Sequence, residues 1–134
     1  MPNALTAERV LVDTSIWVDF FRAKAAAVAL IEQLARQNTA VICGTVMQET
    51  TQGGRTEKEL DFLHAQMSLW YFEAEQPEDF RQAAAIYARL RWRGVTVPPA
   101  DCLIASVALR CDFVLCAADA HYARIPGLKL HDGR

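Results

Sequence analysis

Four carboxylates stand out by where they fall in the chain: Asp13, Glu49, Asp101 and Asp119. Asp13 directly follows the apolar run Val10-Leu11-Val12, and Asp119 lies just past Phe113 to Cys116. Glu49 comes shortly after Val41-Ile42-Cys43, and Asp101 follows the proline-stiffened stretch Thr96 to Ala100. Short apolar runs rich in β-branched residues read as buried strands. Three of the acids therefore follow strands, and the fourth opens a helix. In a parallel sheet the strand-to-helix junctions share one edge, where ligands bind. Each acid also suits a helix cap or first turn, so capping and a common site are both open at this point.

Gathered together, such carboxylates repel. Two charges about 5 Å apart at an effective dielectric near 20 cost about 3 kcal/mol. Protons or a cation must relieve that. An oxygen-rich cluster suits Mg²⁺ or Mn²⁺, whereas zinc prefers His and Cys. Mg²⁺ commonly takes one or two carboxylates and completes its shell with water and phosphate oxygens. The chemistry implied is metal-assisted hydrolysis of a phosphodiester. No Ser-His-Asp or Cys-His set competes, and His64, His121 and His131 read as surface histidines. Gly53-Gly54 reads as a helix break, not a phosphate-binding loop.

Strands and helices alternate along the chain. The segment Thr14 to Phe21 has apolar residues on one helical face, and Ala25 to Arg36 is a helix by composition and period. Thr45, with Gln48 three residues on, predicts a capping box for the helix that carries Glu49. Thr56 starts a helix to about Met67, and Leu69 to Phe72 reads as a strand. A long helix runs from Pro77 to about Arg93 and ends at Gly94. Cys102 to Arg110 is an apolar helix, Phe113 to Cys116 a strand, and Leu128 to Leu130 a weak terminal strand. The expected fold is α/β: one domain over residues 1–134 with a central parallel sheet of about four to five strands flanked by helices.

Composition narrows the class. The chain has 134 residues, 52% of them hydrophobic, with a net charge of −2. That length suffices for one domain with a real core. The charge argues against broad electrostatic binding of nucleic acid, leaving a local basic rim as the alternative. Arg22, Lys24, Arg55, Lys58, Arg89, Arg91, Arg93 and Arg124 are its candidates, or simply solvated surface. No run approaches a membrane helix, and the start MPNALTAERVL lacks a basic segment followed by an apolar one. A cytoplasmic protein without a membrane partner is expected. Cys43, Cys102, Cys111 and Cys116 sit among apolar neighbours and read as buried thiols. A zinc site from Cys111, Cys116 and His121 fits no common spacing.

These motifs carry a resemblance. VLVDTSIWVDFF resembles the opening of PIN-domain ribonucleases, above all the VapC toxins of bacterial toxin–antitoxin pairs, and VPPADCLIASVAL resembles their third-acid segment. VMQETTQGGRTEKEL and FVLCAADAHYARIPGL resemble the second and fourth. The resemblance implies a PIN-like fold and a metal-dependent endoribonuclease. Its acidic set would be Asp13, Glu49, Asp101 and Asp119, its cofactor Mg²⁺ or Mn²⁺, and its surest metal ligands Asp13 and Asp101. It further implies an RNA substrate, a VapB-like antitoxin and a homodimer. The segment Thr56 to Met67, with the first helices, is a candidate groove for the antitoxin's helix. The fourth motif departs from the pattern: Ala117 replaces a hydroxyl residue, and His121 stands before Tyr122 in place of an acid. The alternative functions are a non-catalytic PIN-like module that binds RNA or protein and, more remotely, a phosphate-accepting signalling domain, which would need a lysine near the acids.

Overall fold

The central strand β1 (Val10–Val12) is wholly buried, as a strand covered on both faces must be. It pairs in parallel with β2 (Ala40–Cys43) on one side and β4 (Val114–Cys116) on the other. Beyond them lie β3 (Tyr71–Glu73) and β5 (Lys129–Leu130), giving an all-parallel sheet of order β3-β2-β1-β4-β5. The structure is a computed structural model, and it describes residues 8–132. Most of the N-terminal stretch in which a leader was sought lies outside them.

The chain first winds from β1 through β2 to β3, then returns to the other side of β1 for β4. The order thus reverses between β1 and β4. That crevice, at the carboxyl ends of the strands, is where open α/β sheets place their ligands. Asp13 stands in it, its backbone N–H bonded to the Cys116 carbonyl at 2.9 Å.

Among the described residues six helices cover the sheet: α1 (Thr14–Phe21), α2 (Ala25–Gln37), α3 (Gly44–Thr51), α4 (Glu57–Met67), α5 (Pro77–Trp92) and α6 (Pro99–Cys111). A 3₁₀ turn spans Ala120–Arg124. Local chemistry explains most boundaries. Asp13 caps α1 and Thr56 caps α4. Gln76 and Asp79 form a reciprocal capping box on α5, with Pro77 in its first turn. Gly94 ends that helix at φ +82°, a conformation that costs glycine nothing. Pro98 precedes α6 and Pro99 occupies its first position, so the helix begins earlier than Cys102.

Trp17 is fully buried in α1, its indole N–H donating to the Val12 carbonyl at 3.2 Å. It packs edge-on against Phe20 and lies close to Phe21 and Trp70. Trp17 therefore belongs to the core and offers no face for stacking. Arg110 on α6 donates to buried Asp79 at 2.8 Å and reaches Glu73, tying α6 to α5 and β3. No helix among the described residues is long and apolar enough to cross a membrane.

One expectation is corrected. Thr45 does not cap α3, and no capping box forms with Gln48; Cys43 occupies the cap position without a side-chain bond. Glu75, from the loop after β3, replaces it. Its Oε1 accepts from the Gly44 N–H at 2.9 Å, and its Oε2 from the Thr45 N–H at 2.7 Å and Oγ1 at 2.6 Å. A carboxylate at a helix N-terminus satisfies unpaired amides and opposes the helix dipole. Burial alone would raise the Glu75 pKa, but these hydrogen bonds outweigh it and hold the carboxyl below its usual range. A Cβ on Gly44 would come within 2.8 Å of Glu75 Oε1, so a side chain there would push the carboxylate aside.

Candidate active site

Asp13 is the best-held carboxylate of the four. It is 5% exposed. Its Oδ2 accepts from Ser15 Oγ at 2.7 Å and from the Ser15 N–H at 3.3 Å. Its Oδ1 accepts from the Tyr122 hydroxyl at 2.9 Å. Capping and presentation at the sheet edge are thus one arrangement. Tyr122 is itself buried, and the neighbouring carboxylates raise its phenol pKa beyond the effect of burial.

Asp101 lies in the first turn of α6, facing the same hydroxyl. Burial raises its pKa, and the charge of Asp13 raises it further. Asp13 and Asp101 are therefore electrostatic neighbours across the crevice, 88 positions apart in sequence by their numbers. Asp101 does not cap its helix, since Pro98 holds that place.

Glu49, in the second half of α3, joins through Thr14, the residue after Asp13. Its Oε1 accepts from Thr14 Oγ1 at 2.7 Å. The successive residues Asp13, Thr14 and Ser15 thus supply one acid, the hydroxyl that holds a second acid, and the hydroxyl that holds the first. Asp119 is the outlier. Its side chain is 57% exposed, and it accepts from the His121 N–H as the cap of the 3₁₀ turn. It reaches the others only through His121, whose Nδ1 lies 2.8 Å from Asp119 Oδ1 and whose Nε2 lies 2.8 Å from Asp101 Oδ2. The second contact is close without hydrogen-bond alignment, leaving Nε2 buried and undirected. His121 was expected at the surface. It stands instead between two acids, partly filling the place of the acid missing from the fourth motif.

Among the described residues, no three His, Cys, Asp or Glu side chains converge on one point that could hold an ion. The closely coupled acids are two, Asp13 and Asp101. That suits Mg²⁺ or Mn²⁺, which accepts few carboxylates and completes its shell with water and phosphate oxygens. Burial raises Asp101 most, and a cation would relieve the added repulsion from Asp13. The cysteines supply no ligand set. Burial pushes the Cys43 thiol up to about 12 and Cys116 to about 11, so both stay protonated near neutral pH.

The candidate basic residues are spread over several elements. Lys24 pairs with Asp19 at 3.3 Å, and Arg91 Nη1 donates to the Tyr87 hydroxyl at 3.3 Å.

Comparison with known proteins decides the family. The model of the PIN domain matches residues 10–128, nearly the whole chain. The chain belongs to the PIN domain family. A curated relative, ribonuclease VapC11 of Mycobacterium tuberculosis, is 33% identical over 128 residues, covering 90% of this chain and 96% of the relative. Solved structures share the PIN fold at lower identity. The chain of DNA-bound VapBC from Salmonella typhimurium superposes with a TM-score of 0.79 at 18% identity, over 96% of this chain and 100% of that one. VapBC2 from Rickettsia felis, bound to a DNA fragment from its promoter, gives 0.77 at 21% identity, over 91% and 96%. Both are, by their titles, VapBC proteins bound to DNA.

Proposed function

We propose that this PIN domain, taken as one domain over residues 1–134, is a metal-dependent endoribonuclease and the toxin of a VapBC-type pair. The observation that carries the reading is buried Asp13, held by Ser15 and Tyr122 at the switch point of the sheet, with Asp101 in the first turn of α6 beside it. The identity to a VapC ribonuclease supports the same reading. Asp13 and Asp101 would hold Mg²⁺ or Mn²⁺, with Glu49 and Asp119 as further members of the acidic set. When bound, such an ion activates the attacking water and neutralises charge on the phosphodiester.

The protein's own groups supply orientation. Ser15 and Tyr122 fix the two oxygens of Asp13, so neither rotates when substrate arrives. Thr14 holds Glu49 on the same side. Glu75 clamps the start of α3 and thereby the helix that carries Glu49.

A VapB-like antitoxin belongs to the proposal. The groove between α1, α3 and α4 supports it, since Val18, Phe21, Phe62 and Leu63 line an apolar trough with Arg22 and Glu59 at its polar margin. Such a trough suits an amphipathic helix. A homodimer belongs to it as well, supported by the exposed Leu69, Tyr71, Phe72 and Trp92. The site of action would be the cytoplasm, where RNA is met.

The test is cleavage of RNA by purified protein with Mn²⁺, abolished by a chelator and by Asp13→Asn. Millimolar Mn²⁺ should also raise the melting temperature, because only the folded chain gathers the ligands. Metal-independent binding of RNA without cleavage would favour the non-catalytic module instead.

A further inference from the structure

Two successive residues of the 3₁₀ turn address the two central acids. Tyr122 gives its hydroxyl to Asp13, and His121, the residue before it, brings its ring to Asp101. Nε2 of that ring lies 2.8 Å from Asp101 Oδ2 without the alignment of a hydrogen bond, and it is buried with no partner. Native proteins leave few buried polar atoms unpaired, and a bound ion is one of the things that pairs them.

The other ring nitrogen accounts for the first. Nδ1 lies 2.8 Å from Asp119 Oδ1, and the same oxygen accepts the His121 backbone N–H at 3.1 Å. One carboxylate thus steadies both the ring and its backbone. It draws the ring's hydrogen to Nδ1 and leaves Nε2 with its lone pair beside Asp101. Histidines that bind metal are held in this way, with a carboxylate on the nitrogen that does not touch the ion. Two lone pairs at such close range repel, and a cation shared between them turns the repulsion into two bonds. The spacing fits as well. Two neighbouring donors on an octahedral ion with bonds of about 2.1 Å stand about 3 Å apart, close to the 2.8 Å between Nε2 and Oδ2. No third His, Cys, Asp or Glu among the described residues meets this pair at one point. The pair is therefore one edge of the acidic site, with water and phosphate oxygens left to fill the other positions.

A nitrogen donor changes which ion the site prefers. Mg²⁺ takes oxygen and gives up water reluctantly. Imidazole suits transition ions, whose affinity for a given site climbs from Mn²⁺ to Co²⁺. We propose that His121 Nε2 is a nitrogen ligand of the ion held at Asp101, and that it makes the site select Mn²⁺ and Co²⁺ over Mg²⁺. Exposed Asp119 then has a task of its own, orienting the imidazole without meeting the ion. This rests on the reading of Asp101 as a metal ligand, and it decides between the two cofactors which that reading leaves open.

The experiment uses the full chain without a purification tag, stripped of metal by a chelator and loaded with Mn²⁺ alone. Pulsed electron paramagnetic resonance of the bound ion registers any nitrogen bonded to it. The unaltered protein should show an imidazole nitrogen, absent from His121→Ala and from His121→Asp. Calorimetric titration with Mg²⁺, Mn²⁺ and Co²⁺ reads the selectivity. His121→Ala should lose about tenfold in Mn²⁺ affinity, the lower end of what a group placed around a metal contributes, and change by about twofold or less for Mg²⁺. His121→Asp puts oxygen where nitrogen stood, so it should bind Mg²⁺ at least as well as the parent and lose the preference for Mn²⁺ and Co²⁺. A nitrogen on the bound ion with no RNA cleaved in any metal leaves the ligand standing and removes the nuclease reading. Cleavage in Mn²⁺ by a protein whose ion carries no nitrogen overturns the ligand and leaves the nuclease reading standing. The ligand is also overturned if the nitrogen signal persists in His121→Ala. Equal losses of Mg²⁺ and Mn²⁺ affinity in variants that melt as the parent does overturn the selectivity and return His121 to a bridge between two acids. A parent that binds none of the three ions overturns both readings. The signal of the unaltered protein decides the ligand even where a variant fails to fold.

Discussion

The Tyr122 hydroxyl donates to Asp13 Oδ1 at 2.9 Å across 109 positions of sequence, joining the end of the central strand to the 3₁₀ turn beyond β4. Asp101 lies near the same hydroxyl, so one buried phenol stands beside both carboxylates. Tyr122→Phe removes the donor without changing shape. Asp13 is then left buried with one oxygen short of a partner, at a cost of about 1 to 3 kcal/mol in metal-free unfolding. Mn²⁺-dependent RNA cleavage should fall about tenfold or more, the scale of losing a group that orients a metal ligand. A variant as stable and as active as the parent would show that Ser15 alone holds Asp13.

At Asp101 folding and chemistry pull apart. The residue lies in the first turn of α6 without capping it, so Asp101→Asn gives up little helix stability. It also removes one member of a repelling pair. Metal-free melting should hold or rise. Cleavage should fall about a hundredfold or more, the scale of losing one electrostatic stabiliser of the reaction. A fully active Asn variant would take Asp101 out of the acidic set, and a strongly destabilised one would show that its contact with His121 is structural.

What could be read from the chain, and what could not, divides by the reach of the contacts. Val10-Leu11-Val12 followed by Asp13 is a local signal, since a wholly apolar strand must be buried and the next residue must emerge at the sheet edge. Glu49 was placed by the apolar strand and turn before its helix, and Asp101 by the two prolines that fix the approach to its own. Glu75 was invisible because its bonds to Gly44 and Thr45 span 30 or more positions, while the Thr45–Gln48 pattern offered a local cap that the fold does not use. His121 was read as a surface histidine because nothing in its neighbours shows that two distant acids close around it. Tyr122 was legible only as an aromatic residue, its hydroxyl acquiring a role when β1 and β4 pair.

Glu75 gives a stability profile with a defined sign. Its pKa is lowered in the folded chain from the ordinary 4.5. A lowered carboxylate stabilises the fold above the unfolded-state value, and that contribution disappears as pH falls through the folded-state value. Glu75→Gln should therefore be less stable than the parent by about 1 kcal/mol near pH 7, the usual scale of a helix cap. The gap should close below pH 4.5 as the parent's carboxyl protonates. Urea unfolding of both proteins from pH 7 to pH 3 measures this. A gap independent of pH would mean that shape, not charge, holds the start of α3.

Asp119 offers the sharpest division among the four acids. It is largely exposed and touches the others only by way of His121, whose ring lies 2.8 Å from both Asp119 and Asp101. Asp101 instead feels the charge of Asp13, which adds to burial in raising its pKa. If the ion rests on that pair, Asp119→Asn should weaken Mn²⁺ affinity and cleavage by about tenfold or less, an effect of orientation rather than ligation. Asp101→Asn should cost about a hundredfold or more. His121→Ala should resemble Asp119→Asn, since either change breaks the same bridge, and the double variant should add little to the single ones. Isothermal titration with Mn²⁺ on the three variants and the parent, beside their cleavage rates, settles the order. Equal losses for Asp119→Asn and Asp101→Asn would mean that Asp119 turns inward and meets the ion directly. Additive losses for Asp119→Asn and His121→Ala would mean that the imidazole serves Asp101 independently of Asp119.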